Sequence, residues 1–373
     1  MPRTEKLMGI WRAAFRTVRC FTVMNDNNQT KERKSNMNIG PLDLEHSWRA
    51  LAVGPAFNRK YKDANMDIEY GIEVEAGNPC RFCVKGTENG KPVNLNDFLE
   101  ENDEGAFPKQ YNRLRKLRPG GQDRKPGRQD DLLAGAGNCG FFCSDPTNPL
   151  SLLVRPLLGT LTPADLPGLH FSWNIYPNLA PFEPGGHILI LPSASFPDLP
   201  HFPQLLTQFL LEDLFNLWRA SSKLMIFFNS RHAGASQDHF HIQCVLDEKE
   251  FPITRAEESC NSGLKIIGSN YPINAVVYSE TDERTCWHHV MNLQTKGIPF
   301  NLIFLRKRGF LVPRDINNEI TIEFPTPLAA MEVAGKFIIP DRQQFVKATD
   351  NRLSTALHKV GLSLDDIISL LGK

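Results

Sequence analysis

The chain has 373 residues, enough for one large domain or two domain-sized units, and its 41% hydrophobic content can bury a core. Its 42 basic and 42 acidic side chains cancel, which excludes the cationic excess of a duplex nucleic-acid binder and leaves a small substrate or a protein partner. Eight cysteines are too few for a disulfide scaffold at this length, and no apolar run of about 18 residues offers a membrane span.

In chain order, "MPRTEKLMGIWRAAFRTVRCFTVM" is Arg-rich and helical in pattern, with Glu5 its one acid. It lacks the long apolar core of a secretory signal. An organellar address is the lesser reading beside a surface helix or an extension upstream of Met37, and a cytoplasmic location is expected. Residues 25–40 are polar and turn-rich, so 1–41 reads as an N-terminal extension and linker. A first globular half is expected over 42–260. Within it, residues 101–131 turn charged and rich in Gly and Pro ("KLRPGGQDRKPGRQDD") and read as a mobile, solvated insertion; a lid over substrate phosphates is the lesser option.

Three strand–turn–strand units follow. In "LHFSWNIYPNLAPFEPGGHILILPS" two apolar runs flank a Pro/Gly loop. "LLTQFLLEDLFNLWRASS" has apolar residues at helical spacing. "LMIFFNSRHAGASQDHFHIQCVL" and "FNLIFLRKRGFLVPR" are the second and third units, and "RLSTALHKVGLSLDDIISLL" is helical with a break near Gly361. A second half over 261–373 would carry these last elements. The grouping implies an α+β fold, an antiparallel sheet with flanking helices.

The chemistry concentrates in "NSRHAGASQDHFHIQC". If 239–246 is a strand, His239, His241 and Gln243 share one face, and Phe240, Ile242 and Cys244 share an apolar one. The small residues of the preceding turn allow a close backbone approach. An imidazole with an ordinary pKa of about 6.5 is largely neutral at physiological pH and nucleophilic. Attack on an α-phosphorus would divide one displacement into two through a nucleotidyl-histidine, and a Gln amide can donate to a phosphate oxygen throughout. Two histidines two apart on a strand are also a zinc pattern, and two satisfied sheet histidines are the plain structural reading.

"NSRHAGASQDHFHIQ" resembles the active-site strand of the histidine-triad superfamily. It is nearest the branch of galactose-1-phosphate uridylyltransferase and diadenosine tetraphosphate phosphorylase (ATP adenylyltransferase). The resemblance implies that His241 is the nucleophile, that Gln243 and Ser236 contact phosphate, and that Asn229 binds substrate. His239 would be a ligand or an orienting group, and the roles of His232 and Asp238 stay open. Gln243 stands where the triad hydrolases usually carry a third His, which favours transfer over hydrolysis. "NIYPNLAPFEPGGHILILP" is similar to a family hairpin beside the nucleotide and matches it at Asn174, Pro177 and His187. "FNLIFLRKRGFLVPR" resembles a second, degenerate repeat, where a basic residue could reach phosphate and Lys307 and Arg314 are the candidates; a solvated turn and a strand-end charge are the plain alternative. "CRFC" (Cys80, Cys83) looks like a zinc pair of some relatives, but Ser195 stands where their next His is expected. Cys139 and Cys143 could complete the site instead, and buried or free thiols are the alternative. Cys244, Cys260 and Cys286 read as packing residues.

The leading expectation is a nucleotidyltransferase or phosphorylase acting on a nucleoside polyphosphate or nucleotide sugar, with phosphate or a sugar phosphate as acceptor. Zinc is the only cofactor considered, a homodimer is open, and neither nucleic acid nor membrane is a partner. A histidine-triad hydrolase of nucleotide conjugates and a non-catalytic nucleotide-binding protein are the alternatives.

Overall fold

"LMIFFN" is buried at every one of its positions, so the strand it forms needs a covered layer on each side. The computed structural model describes residues 57–372 apart from 63–64, 74–80, 116–140, 142–156, 158, 179–181, 183–186, 194–201, 222–223 and 247–249. The N-terminal extension and linker expected over 1–41 lie outside the described residues. A four-stranded antiparallel sheet comes first: β1 (Phe57–Lys62), β2 (Met66–Glu73), β3 (Arg81–Glu88) and β4 (Lys91–Pro92). Then β5 (Leu99–Asn102) and β6 (Lys109–Asn112) form a small sheet in which β17 (Phe337–Ile339) runs parallel to β6. These two strands fall inside or beside the stretch expected as an insertion, most of the rest of which is outside the described residues.

The central sheet has ten antiparallel strands. They are β7 (Gly159–Leu161), β8 (Trp173–Pro177), β9 (His187–Pro192), β10 (Leu224–Asn229), β11 (Ile242–Leu246), β12 (Ser259–Asn261), β13 (Leu264–Ile267), β14 (Ala275–Tyr278), β15 (Phe300–Leu305) and β16 (Arg308–Pro313). Their spatial order is β12-β13-β14-β16-β15-β10-β11-β9-β8-β7, which is one pattern written twice. In each half a meander leads into a helix, α1 (Gln208–Ala220) or α2 (Glu283–Thr295), and then a hairpin whose second strand returns to the meander. The halves meet where β10 pairs with β15 through Asn229↔Asn301. The repeats differ at one place: β15 turns into β16 across Arg306 and Lys307, whereas β10 and β11 are separated by residues 230–241. The histidine-bearing segment is therefore confined to the first repeat.

Alternation assigns the two faces. Ile188, Ile226, Phe228, Ile242, Cys244 and Phe304 pack under α1, α2 and the last helix, α6 (Leu364–Leu371). Thr207 caps α1, its side chain accepting the N–H of Leu210. On the other face Met225, Phe227, Val245, Ile303 and Phe310 pack against the segment from Phe324 to Val360. That segment holds α3 (Ala330–Val333), α4 (Arg342–Lys347) and α5 (Asp350–Val360), which ends at Gly361 where the sequence shows its break. The fold is α+β, as expected. Cys244 and Cys286 are buried as expected, but Cys260 is exposed on β12: the burial pattern of that edge strand leaves all its side chains in water. No helix among the described residues is long and apolar enough to cross a membrane.

Candidate active site

The ladder between β10 and β11 ends at Phe227↔Gln243, and β11 itself begins at Ile242. The strand expected over 239–246 thus starts three residues late. The sorting by face survives. Phe240, Ile242 and Cys244 are fully buried on the helix side. The rings of His239 and His241 both stand in T-shaped contact with Phe141, at centroid distances of 5.5 and 5.2 Å. Phe141 packs with Tyr176, Leu189 and Leu191 on the opposite side.

His241 is buried, and its Nδ1 lies 2.8 Å from the backbone oxygen of His239. A carbonyl only accepts, so Nδ1 carries the proton and donates. The lone pair of the ring then sits on Nε2. The first histidine of the pair therefore orients the second through its main-chain carbonyl.

Gln243 lies one alternation further along the same face. His187 of β9 has its Nε2 at 2.8 Å from Gln243 Oε1, which also accepts from Asn178 Nδ2 at 3.4 Å. The amide oxygen only accepts, so His187 Nε2 donates to it, and the Gln243 nitrogen is left to face a ligand. Burial and the Arg115 guanidinium drive the His187 pKa down to about 3, with the His241 ring adding to this and the Gln243 bond opposing it. His187 is thus a neutral donor. Its Nδ1 is buried and has no hydrogen-bond partner among the described residues. Phe182 covers His187 with ring centroids 4.0 Å apart, and the Arg115 guanidinium sits 5.6 Å from the centroid of the Phe182 ring.

Beyond His241, the buried Asn229 Oδ1 accepts from Asn301 Nδ2 (2.8 Å) and from the Ala330 N–H (2.9 Å). Its Nδ2 is buried with no partner among the described residues, an amide available to a ligand. Asn301 also bonds Ala233 O (2.7 Å) and accepts from Arg314 Nη1 (2.6 Å). Arg314 further donates to Leu328 O and Val360 O. Burial lowers the Arg314 pKa to about 10, while Glu319 and Glu332 oppose the fall. Glu319 accepts the Gly234 N–H at 2.9 Å. The turn before the histidines is thereby fastened to the second repeat and its C-terminal segment.

The structure brings together His239, His241, Gln243, His187 and Asn229 around one face. Ser236 is exposed in the turn. Asn174 shares the face, but Leu191 lies between its strand position and the histidines, and its Oδ1 accepts from Thr160. Asp238 ion-pairs with Arg231 across the turn, and His232 adopts a left-handed φ of 59°. Lys307 is exposed in the hairpin turn at the opposite end of the sheet, and Arg314 is wholly buried, so neither occupies an open phosphate-facing position. Cys80, Cys139, Cys143, Ser195 and the Cys83 side chain lie outside the described residues. Among the described residues no group of three or more His, Cys, Asp and Glu could hold a metal.

The sequence reading missed Arg115, Phe141, Asn178 and Gln204. Arg115 hides in a charged run, and Phe141 and Gln204 carry no spacing signal. Asn178 stood inside the quoted hairpin motif, one residue past Pro177, and could have been found there.

Residues 249–367 match the model of the GDPGP1-like, C-terminal domain. The GDPGP1-like segment begins after β11, so it holds the second repeat with Asn301, Arg314, Glu319 and Glu332, and the histidines lie before it. No curated protein matches the chain. Among solved structures, yeast Ap4A phosphorylase Apa2 in complex with Ap4A is similar at 14% identity and a TM-score of 0.46, over 83% of this chain and 90% of that one. The same yeast protein in complex with AMP aligns at 15% identity and a TM-score of 0.45, over 87% of this chain and 99% of that one.

Proposed function

We propose that this protein is a nucleotidyltransferase that works through a covalent nucleotidyl-histidine at His241. The observation that carries the reading is the 2.8 Å contact between His241 Nδ1 and the His239 carbonyl. It holds the imidazole in the tautomer whose Nε2 is a lone-pair nucleophile, and it leaves a partner to accept more strongly as the ring becomes positive. Nε2 forms a bond to the α-phosphorus of a nucleoside polyphosphate or nucleotide sugar. The bond from phosphorus to the leaving oxygen breaks, and that oxygen departs with its electron pair. The acceptor, phosphate or a sugar phosphate, then attacks the same phosphorus and the P–N bond breaks, restoring the histidine.

The Gln243 amide nitrogen donates to a non-bridging oxygen in both steps, aimed by His187 and Asn178. His187 thus acts through Gln243 instead of touching the nucleotide. Asn229 Nδ2 and the turn bearing Ser236 supply further donors, and Arg115 sets a positive field beside the phosphates. No step needs a metal; zinc at Cys80 and Cys83 would be structural.

The test is incubation with nucleotides and nucleotide sugars radiolabelled at the α-phosphorus, followed by denaturation. Acid-labile label is expected on wild type and on His239→Asn, which keeps the backbone carbonyl, and none on His241→Asn. Wild type labelling no better than His241→Asn with every substrate would sink the reading. Dependence of product release on added phosphate separates transfer from hydrolysis by water.

A further inference from the structure

We propose that Gln204 is a positioning residue for His241, a side-chain amide that stands in for a missing strand partner. The proposal rests on the reading of His241 as the nucleophile. The β10–β11 ladder stops at Phe227↔Gln243, although β10 continues to Asn229 and the register places His241 across from it. Gln204, fully buried, comes in from the segment between β9 and α1. Its Nε2 donates to Asn229 O (2.9 Å) on one side and to His241 O (3.2 Å) on the other. Its Oε1 accepts the His241 N–H at 2.9 Å.

One planar amide therefore bonds three buried main-chain groups. Two consequences follow from its place. The amide keeps the two chains apart at the row occupied by Asn229 and His241, so the sheet opens where a substrate must reach the imidazole. It also fixes His241 through both its N–H and its carbonyl. With Nδ1 held by His239 O, the residue can neither slide along the strand direction nor turn its ring.

The clamp is itself anchored. Phe202 O accepts the Phe240 N–H at 2.7 Å. Gln294 on α2 accepts from the Leu206 N–H and donates to the Leu206 carbonyl, each at 2.9 Å. The short stretch of main chain from Gln204 to Leu206 thus ties the nucleophile to the helix of the second repeat.

The experiment uses the full chain labelled with nitrogen isotope at histidine, whose ten residues give a readable amide spectrum; the His241 signal is the one missing in His241→Asn. Gln204→Met keeps volume and removes all three bonds. It is expected to raise exchange of the His241 amide by roughly tenfold or more. The rate of covalent labelling should fall by a similar factor while nucleotide affinity stays within about threefold, because the nucleophile and not the binding surface has moved. Unchanged exchange of the His241 amide overturns the proposal, and so does unchanged labelling in a protein whose wild type labels. If wild type carries no label, the proposed function fails on its own, and the exchange result still decides the clamp. Should Gln204→Met not fold, Gln204→Glu decides. A neutral carboxyl both donates and accepts, whereas a carboxylate only accepts. The melting-temperature gap to wild type is expected to narrow as pH falls through the carboxyl's pKa, because the neutral carboxyl regains one of the two donated bonds; a constant gap overturns the proposal.

Discussion

His187 shows how one side chain carries both specificity and a liability. Its folded-state pKa of about 3 lies well below the ordinary value, because the ring is buried beside Arg115. The unfolded chain therefore takes up a proton that the folded chain refuses. Stability from this group is complete above about pH 6.5 and is lost as pH falls from there toward 3. Between neutrality and about pH 5, wild type is expected to lose about 2 kcal/mol more than His187→Gln, as read from urea midpoints at the two pH values. Equal losses would show that His187 titrates normally in the fold. The histidine itself was legible in the sequence as part of a hairpin motif. Its contact with Gln243 across two strands was not. That contact joins β9 to β11, and only the register Gln243↔Leu189 brings the two strands side by side.

At the scale of the element, the turn between β10 and β11 is the part most exposed to a small change. Gly234 has a φ of 89°, and a Cβ there would lie 2.5 Å from Ala329 Cβ. Gly234→Ala thus combines left-handed strain with overpacking against backbone that cannot yield, an expected loss of about 2 kcal/mol or more. The thermal midpoint should fall, and labelling should fall further than stability accounts for, since the Gly234 N–H bond to Glu319 breaks with the turn. A midpoint unchanged from wild type would mean that the turn relaxes freely. Glycine and small residues before "DHFHIQ" were visible as a close-approach signal; Ala329 was not, because it arrives from the far end of the chain. The same limit explains the strand that begins at Ile242 instead of His239. Period-two alternation reports which face a side chain takes, and it did so correctly for Phe240 and Ile242. It is blind to whether a neighbouring strand or an inserted amide such as Gln204 receives the main-chain bonds.

Across the whole molecule, the duplicated topology makes the two halves one cooperative unit. β10 and β15 are central strands, each buried at every position, and each is the other's ladder partner. A break after residue 260 would turn both into long apolar edges, the arrangement that promotes aggregation. It would also part Asn301 from Asn229 and from the Ala233 carbonyl, leaving buried amide groups short of partners. The parallel pairing of β17 with β6 ties the C-terminal segment back to the first half a second time. Neither 42–260 nor 261–373 is therefore expected to fold alone, and residues 249–367 should fare no better. Expressed together, the two fragments should recover one unfolding transition, coincident by far-ultraviolet circular dichroism and tryptophan fluorescence. A soluble single fragment with its own cooperative transition would show that the repeats are independent domains. In that case the bonds from Glu319 and Asn301 to the histidine-bearing turn would be contacts between separate bodies and not part of one core.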